Sequence, residues 1–285
     1  MTEPAVGSAL PMEVRVRFAH AMIAHLFAQA GIRALHHKGH TAPEGTYVSG
    51  RASTDADVLV PPDQAARAIQ VLQARGWDLV TSYRDGSIFQ HAASLWHSHL
   101  GYADIHQLIP GTGPTPQAVF ERLWSQRSTA DMGGQPCTVP GRLDHLALIV
   151  IHAARDTSRG QPDTAHLRSS LSPQEWAEVR ARALELRAAA PWVVATGESA
   201  PAAQAEVALW RALRDGAERD VLLRARIHAA EGFRERASIT LGTLVPNRGH
   251  LRMQLEREPR LTDYLADYRD RLGAAVGAVK RGLRR

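Results

Sequence analysis

Cysteine and lysine are the scarce residues in this chain of 285. One cysteine, Cys137, excludes an intramolecular disulfide framework and fits a reducing compartment. Lysine occurs only at Lys38 and Lys280, which leaves 32 of the 34 basic residues as arginine. Long apolar runs are missing too. The longest, Leu146 to Ile151, is six residues, where a membrane span needs about 20. The first residues, Met1-Thr-Glu-Pro-Ala-Val-Gly-Ser8, have no basic region followed by an apolar one, so no secretory signal is expected. These absences point to a soluble, cytoplasmic protein with no membrane partner.

The composition is that of a globular chain, 44% hydrophobic, long enough for one large domain or two modest ones. Charge is unevenly placed. Residues 1–210 hold 17 Lys/Arg and 19 Asp/Glu, a net of −2; residues 211–285 hold 17 and 10, a net of +7. Such a basic quarter suits a polyanion, or it is the solvated face of Arg-rich helices.

Apolar spacing predicts a helix over 11–30 (Val14, Phe18, Met22, Leu26, Phe27) ended by Gly31, then a short strand over 32–37. A second strand covers 52–60. A helix follows Pro61-Pro62 with Asp63 as its N-cap and stops at Gly76. Residues 77–83 and 87–91 read as strands paired around Asp85-Gly86, and 102–108 as another strand. Thr115-Pro116 opens a helix to about Ser125. Beyond residue 140 the pattern is helical. It includes a buried helix at 143–155, a capping box at Ser172-Pro-Gln-Glu175, and two helices over 201–244 broken near Gly232. A last helix carries a stripe from Leu261 through Tyr264, Leu265 and Tyr268 to Leu283, which suits an interface or an internal contact. Oligomeric state is left open. The fold class is α/β (α+β): a small mixed sheet flanked by helices over 1–138, then an all-α domain over 139–285.

Asp55 and Asp57 are the most informative pair. On a strand, residues i and i+2 share a face, about 6–7 Å apart. Two carboxylates so placed can hold divalent cations for phosphoryl or nucleotidyl transfer. Upstream, Lys38 stands beside Gly39, whose lack of a side chain lets backbone approach a phosphate. Downstream, Asp104 and His106 share one face of their strand. A bare Asp-x-Asp is also common at strand ends and turns. Here the apolar Val58-Leu-Val60 that follows makes it the start of a strand.

The order Lys38-Gly39, then Arg51-Ala-Ser-Thr-Asp55-Ala-Asp57-Val-Leu-Val60, then Asp104-Ile-His106 resembles the nucleotidyltransferase superfamily with the DNA polymerase β-like fold. More narrowly, it resembles an uncharacterised bacterial nucleotidyltransferase family, with His152-Ala-Ala-Arg155 also fitting, over about residues 15–190. The resemblance implies an Mg²⁺- or Mn²⁺-dependent enzyme moving NMP from an NTP to an acceptor with release of pyrophosphate. It implies Asp55, Asp57 and Asp104 as metal-holding and catalytic residues, and Lys38, Gly39, Arg51 and Ser53 as nucleotide-binding residues. His106, His152 and Arg155 would support them, and the helical half would close the cleft and select the acceptor. The acceptor could be a small molecule, a peptide or protein, or RNA. Three features depart from the pattern: Gly39-His40 replaces a Gly-Gly or Gly-Ser pair, His36 and His37 replace apolar strand residues, and Ala56 is a small spacer.

Two other readings compete. One is a metal-dependent hydrolase built on His97, His99, Asp104 and His106, but their spacing does not fit the His-x-His-x-Asp-His of metallo-β-lactamase-like enzymes, since Asp104 comes five residues after His99, and His-Asp and His-Glu-x-x-His are absent. The other is an inactive transferase-fold scaffold or RNA-binding module, for which all three acids would be superfluous.

Overall fold

In the computed structural model, residues 10–83, 89–156, 158–230, 232 and 260–269 are described. Helix α1 (Met12–Gln29) leads into β1 (Leu35–His36), a 3₁₀ turn (Gly39–Thr41) and β2 (Asp55–Leu59). Next come α2 (Ala65–Gln73), β3 (Asp78–Thr81), β4 (Ala92–His97) and β5 (Gly101–His106). Helix α3 (Pro116–Ser125) and the strands β6 (Ser128–Met132) and β7 (Gln135–Val139) precede the helical half. That half holds α4 (Arg142–Ala153), α5 (Gly160–Ser170), α6 (Pro173–Glu185), α7 (Ala189–Thr196), α8 (Gln204–Arg214) and α9 (Arg219–Ala229). The expected mixed α/β chain with a small mixed sheet is what forms.

The main sheet runs β1-β2-β5-β4-β3, and only β2 and β5 are parallel. Strand alternation decides what each face does. Ala56, Val58, Ala103 and Ile105 pack with Ile23 and Phe27 of α1 and Ala68 and Leu72 of α2. Ala56 is fully buried there, so its small size suits the contact. Residues of the other parity, Asp55, Asp57, Leu59, Asp104 and His106, face the opposite side. There Leu59 and Leu35 join α3 (Phe120, Leu123), α4 (Leu146 to Ile151), Trp176 and Trp192 in one core. That core spans both sides of residue 139.

Local signals place several elements. Thr115 caps α3 by accepting the Ala118 N–H, and Ser172 and Glu175 form the reciprocal capping box of α6. Four expectations shift. The buried stripe of α1 is Val16, Ala19, Ile23, Leu26 and Phe27, which leaves Phe18 43% exposed. Asp63 sits inside a 3₁₀ turn (Pro62–Gln64) and makes no cap, because α2 begins only at Ala65. The partner of β3 is Ala92–His97, later than the expected 87–91; the Asp85-Gly86 turn lies outside the described residues. Helix α9 ends at Ala229, close to the expected break at Gly232, but a further break at Gly216-Ala217 separates it from α8.

The β6–β7 hairpin was not anticipated. It turns on Gly133 (φ 68°) and Gly134 (φ 86°), the paired positive φ values that favour glycine in a two-residue turn. In the last helix, 261–269, Leu261 and Leu265 are exposed; the stripe beyond lies outside the described residues.

Gly160 opens α5 against the carbonyl of Ala153 at the end of α4, so a Cβ there would strike that oxygen. Gly160→Ala should therefore destabilise the chain by about 1–3 kcal/mol, the usual cost of overpacking. Urea denaturation checks this, and an unchanged midpoint would show that the α4–α5 junction yields freely.

Candidate active site

In the parallel pair β2–β5, Asp57 lies opposite Asp104 and Asp55 opposite Tyr102. This register brings oxygens of Asp55, Asp57 and Asp104 within 4.8 Å of one another. The three line a cleft of about 330 Å³ with Lys38, Gly39, Arg51, Ser53, Thr54, His91, His106, His152, Arg155, Asp156 and Arg159. Every residue singled out from the sequence for a transferase site is on this wall. His97 and His99 are not among the lining residues; their rings pair with each other at the β4–β5 turn, so the hydrolase constellation is not assembled.

Asp57 is the best-connected carboxylate. Lys38 Nζ lies 2.6 Å and His106 Nε2 2.8 Å from its Oδ1. Burial alone would raise its pKa, but the Lys38 charge and the His106 hydrogen bond outweigh that and hold it well below the usual range. Burial lowers the pKa of His106, so the ring is neutral and Nε2–H donates to an ionised Asp57. Lys38 carries the balancing charge.

Asp55 behaves oppositely. Burial, with help from Asp57 and Asp104, pushes its carboxyl up to about 6 against the pull of Lys38. Asp104 accepts a 2.6 Å hydrogen bond from Ser94 Oγ, its cross-strand neighbour on β4.

The Lys38-Gly39 segment is held in an unusual conformation. Lys38 has φ 62° and Gly39 φ 49°. The Lys38 N–H donates to His145 Nε2 of α4 at 2.9 Å, and its carbonyl accepts from Thr41 Oγ1 at 2.8 Å. A Cβ on Gly39 would collide with Ser53 Oγ, so glycine is required for two independent reasons.

The other basic residues come from the helical half or are anchored to it. Arg51 pairs with Asp163 of α5 at 2.9 Å and stacks over Tyr47 at 3.9 Å. Arg155 and Arg159 flank the α4–α5 connection, and burial lowers the pKa of both Arg155 and His152. Sequence reasoning missed Ser94, Tyr47, His145, Arg159 and Asp163. Tyr47 lies four residues from the Arg51 it stacks on; the others reach the site through contacts between separate elements, and no local motif marks them.

A family-wide sequence profile described as "Uncharacterised nucleotidyltransferase" matches residues 12–197, and the chain belongs to this family. No curated protein matches it. Among solved structures, it is similar to the lincomycin-bound lincosamide antibiotic adenylyltransferase LnuA: 16% identity, 56% of this chain and 92% of that one, TM-score 0.32. It is also similar to an antigenic nucleotidyltransferase-like protein from Paracoccidioides brasiliensis: 11% identity, 65% and 94% coverage, TM-score 0.39. Likenesses at this level bear on neither donor nor acceptor. No helix among the described residues is long and apolar enough to cross a membrane.

An acid whose folded pKa exceeds its unfolded value holds its proton better in the folded chain. Its contribution to stability therefore falls as pH rises between the two values, and the ionised group opposes folding above them. For Asp55 that window runs from 3.8 to about 6. Asp55→Asn should raise the melting temperature of the EDTA-treated protein at pH 8, by about 2–4 °C for each kcal/mol relieved, and change it little at pH 4. Scanning calorimetry at both values checks this; equal shifts would contradict it.

Proposed function

We propose that the chain transfers NMP from an NTP to an acceptor hydroxyl or phosphate, with release of pyrophosphate and dependence on Mg²⁺ or Mn²⁺. The observation that carries this is the meeting of three carboxylates with a lysine and three arginines in one cleft, in a chain of nucleotidyltransferase family. Asp55, Asp57 and Asp104 are hard oxygen donors, the type that Mg²⁺ and Mn²⁺ prefer, and their closeness fits such an ion. When bound, the divalent cation supplies charge neutralisation for the triphosphate and Lewis acidity at its α-phosphoryl group.

The chain's own residues do the rest. Asp104, oriented by Ser94, accepts the proton of the attacking acceptor. The new bond runs from acceptor oxygen to α-phosphorus, and the bond to the bridging α–β oxygen breaks in line. Gly39 and Ser53 bring backbone and hydroxyl close to the β/γ-phosphates. Lys38 leaves Asp57 once that carboxylate has another cation, and neutralises the departing pyrophosphate. Arg51, preset by Tyr47 and Asp163, adds a second positive charge. His152 and Arg155 face the acceptor side. Catalysis is assigned to 1–138, with the helical part from 139 onward closing the cleft and selecting the acceptor. Arg155, Asp156 and Arg159 already line it from that side. A cytoplasmic location is part of this reading.

Calorimetric titration of the four NTPs in Mg²⁺ and in EDTA tests the proposal. Mg²⁺-dependent binding of at least one NTP is expected, weakened about tenfold or more (about 1.4 kcal/mol) in Asp55→Ala and in Asp57→Asn. The asparagine is chosen because removing the whole side chain would strand Lys38. Binding unaltered by both changes would refute the site and favour a scaffold that contacts RNA through the basic last quarter. Gly39→Ala should lower NTP affinity about tenfold with Mn²⁺ affinity intact; equal loss of both would make Gly39 structural.

A further inference from the structure

Behind the carboxylate cluster, Asp57 also faces two buried histidines. His37 and His106 are each 2% exposed, and their rings meet edge-on with centroids 4.9 Å apart. One donor atom from each of His37, Asp57 and His106 lies within 4.8 Å of the others. Neither nitrogen of His37 has a hydrogen-bond partner, nor does His106 Nδ1. A buried polar atom left unpaired is destabilising, so His37 is expensive to keep at this position without a ligand. Other buried histidine nitrogens are unpaired too, at His20, His36, His40 and His145. Among the described residues, however, His37, Asp57 and His106 are the triad that combines imidazole with carboxylate; the other triad is all carboxylate.

We propose that His37, Asp57 and His106 form a binding site for a divalent transition metal of the zinc class, distinct in ligand chemistry from the carboxylate trio but sharing Asp57 with it. Two imidazoles and one carboxylate suit Zn²⁺ or Co²⁺ and suit Mg²⁺ poorly. Three protein ligands leave a fourth position open. Asp57 and His106 both line the cleft, so that position opens toward the substrate side.

The geometry needs small adjustments. Donors around a tetrahedral zinc, each about 2.0–2.1 Å from it, stand about 3.4 Å apart. His106 Nε2 and Asp57 Oδ1 are already at 2.8 Å. Ligation through Nε2 moves the ring proton to Nδ1 with no net change of charge. Burial keeps both imidazoles neutral, so protons do not compete for them at neutral pH. The competitor is Lys38, whose ammonium now occupies the same Asp57 oxygen. Metal at this site takes Asp57 away from the carboxylate trio and so opposes Mg²⁺-dependent NTP binding. That consequence rests on the proposed function, whereas the site itself does not.

The test uses the full chain stripped with EDTA and titrated with Co²⁺, followed by visible absorbance, with Zn²⁺ displacement by a chromophoric chelator. One equivalent with the intense visible bands of four-coordinate Co²⁺ is expected. It should weaken about tenfold or more in His37→Ala and in the volume-conserving His37→Leu. It should persist in Asp55→Ala and in the surface control His97→Ala/His99→Ala. Circular dichroism shows which variants fold, and His37→Leu serves if the alanine variant does not. No bound equivalent in the wild type, binding kept in a folded His37 variant, or binding lost in Asp55→Ala would each overturn the proposal. A parallel NTP titration separates the two readings: loss of NTP binding with intact Co²⁺ bands would count against the transferase and not against this site.

Discussion

Asp57 is an ionised carboxylate with a side chain only 9% exposed, and a charge so placed must be paired or protonated. Lys38 and His106 do the pairing from opposite directions in sequence, one from just beyond β1 and one from the end of β5. Their contacts hold the Asp57 carboxyl well below the usual carboxylate range. Burial, joined by the neighbouring Asp57 charge, raises the Asp55 carboxyl, so crowding carboxylates in this cleft is costly without a cation.

The fold serves this arrangement through a single parallel strand pair. Placing β5 beside β2 in parallel sets Asp57 against Asp104, and strand alternation turns both away from the α1/α2 core. The helical half then supplies what the sheet lacks. His145 of α4 holds the Lys38 backbone in its positive-φ conformation, Asp163 of α5 anchors Arg51, and the α4–α5 connection brings Arg155 and Arg159 to the cleft. Close packing at Gly160 sets the spacing of those helices.

Features written in short stretches of sequence were legible. Asp55, Asp57, Asp104 and His106 could be assigned to faces because strand periodicity is local, and Thr115 and Ser172 announced their helices by cap chemistry. What depends on pairing between distant segments was not. Strand β4 begins with Ala92-Ala-Ser94, residues with little strand preference, and its register alone puts Ser94 on Asp104. The links from Arg51 to Asp163 and from Lys38 to His145 join segments more than a hundred residues apart, and no spacing rule reaches that far. The Gly133-Gly134 turn is different: its dipeptide is a recognised hairpin signal and was readable. His36 and His37 stood out only as departures from an apolar strand. Burial beside Asp57 is what gives His37 chemical meaning, whereas His36 is buried against His20.

The most direct test of this account is a crystal structure with Mg²⁺ and an NTP analogue whose α–β bridge cannot be cleaved. The expected result is a cation held by Asp55, Asp57 and Asp104, the β/γ-phosphates against Gly39, and Lys38 moved from Asp57 to the phosphates. A triphosphate bound elsewhere, or a cleft that takes up nucleotide while Lys38 stays on Asp57, would contradict it.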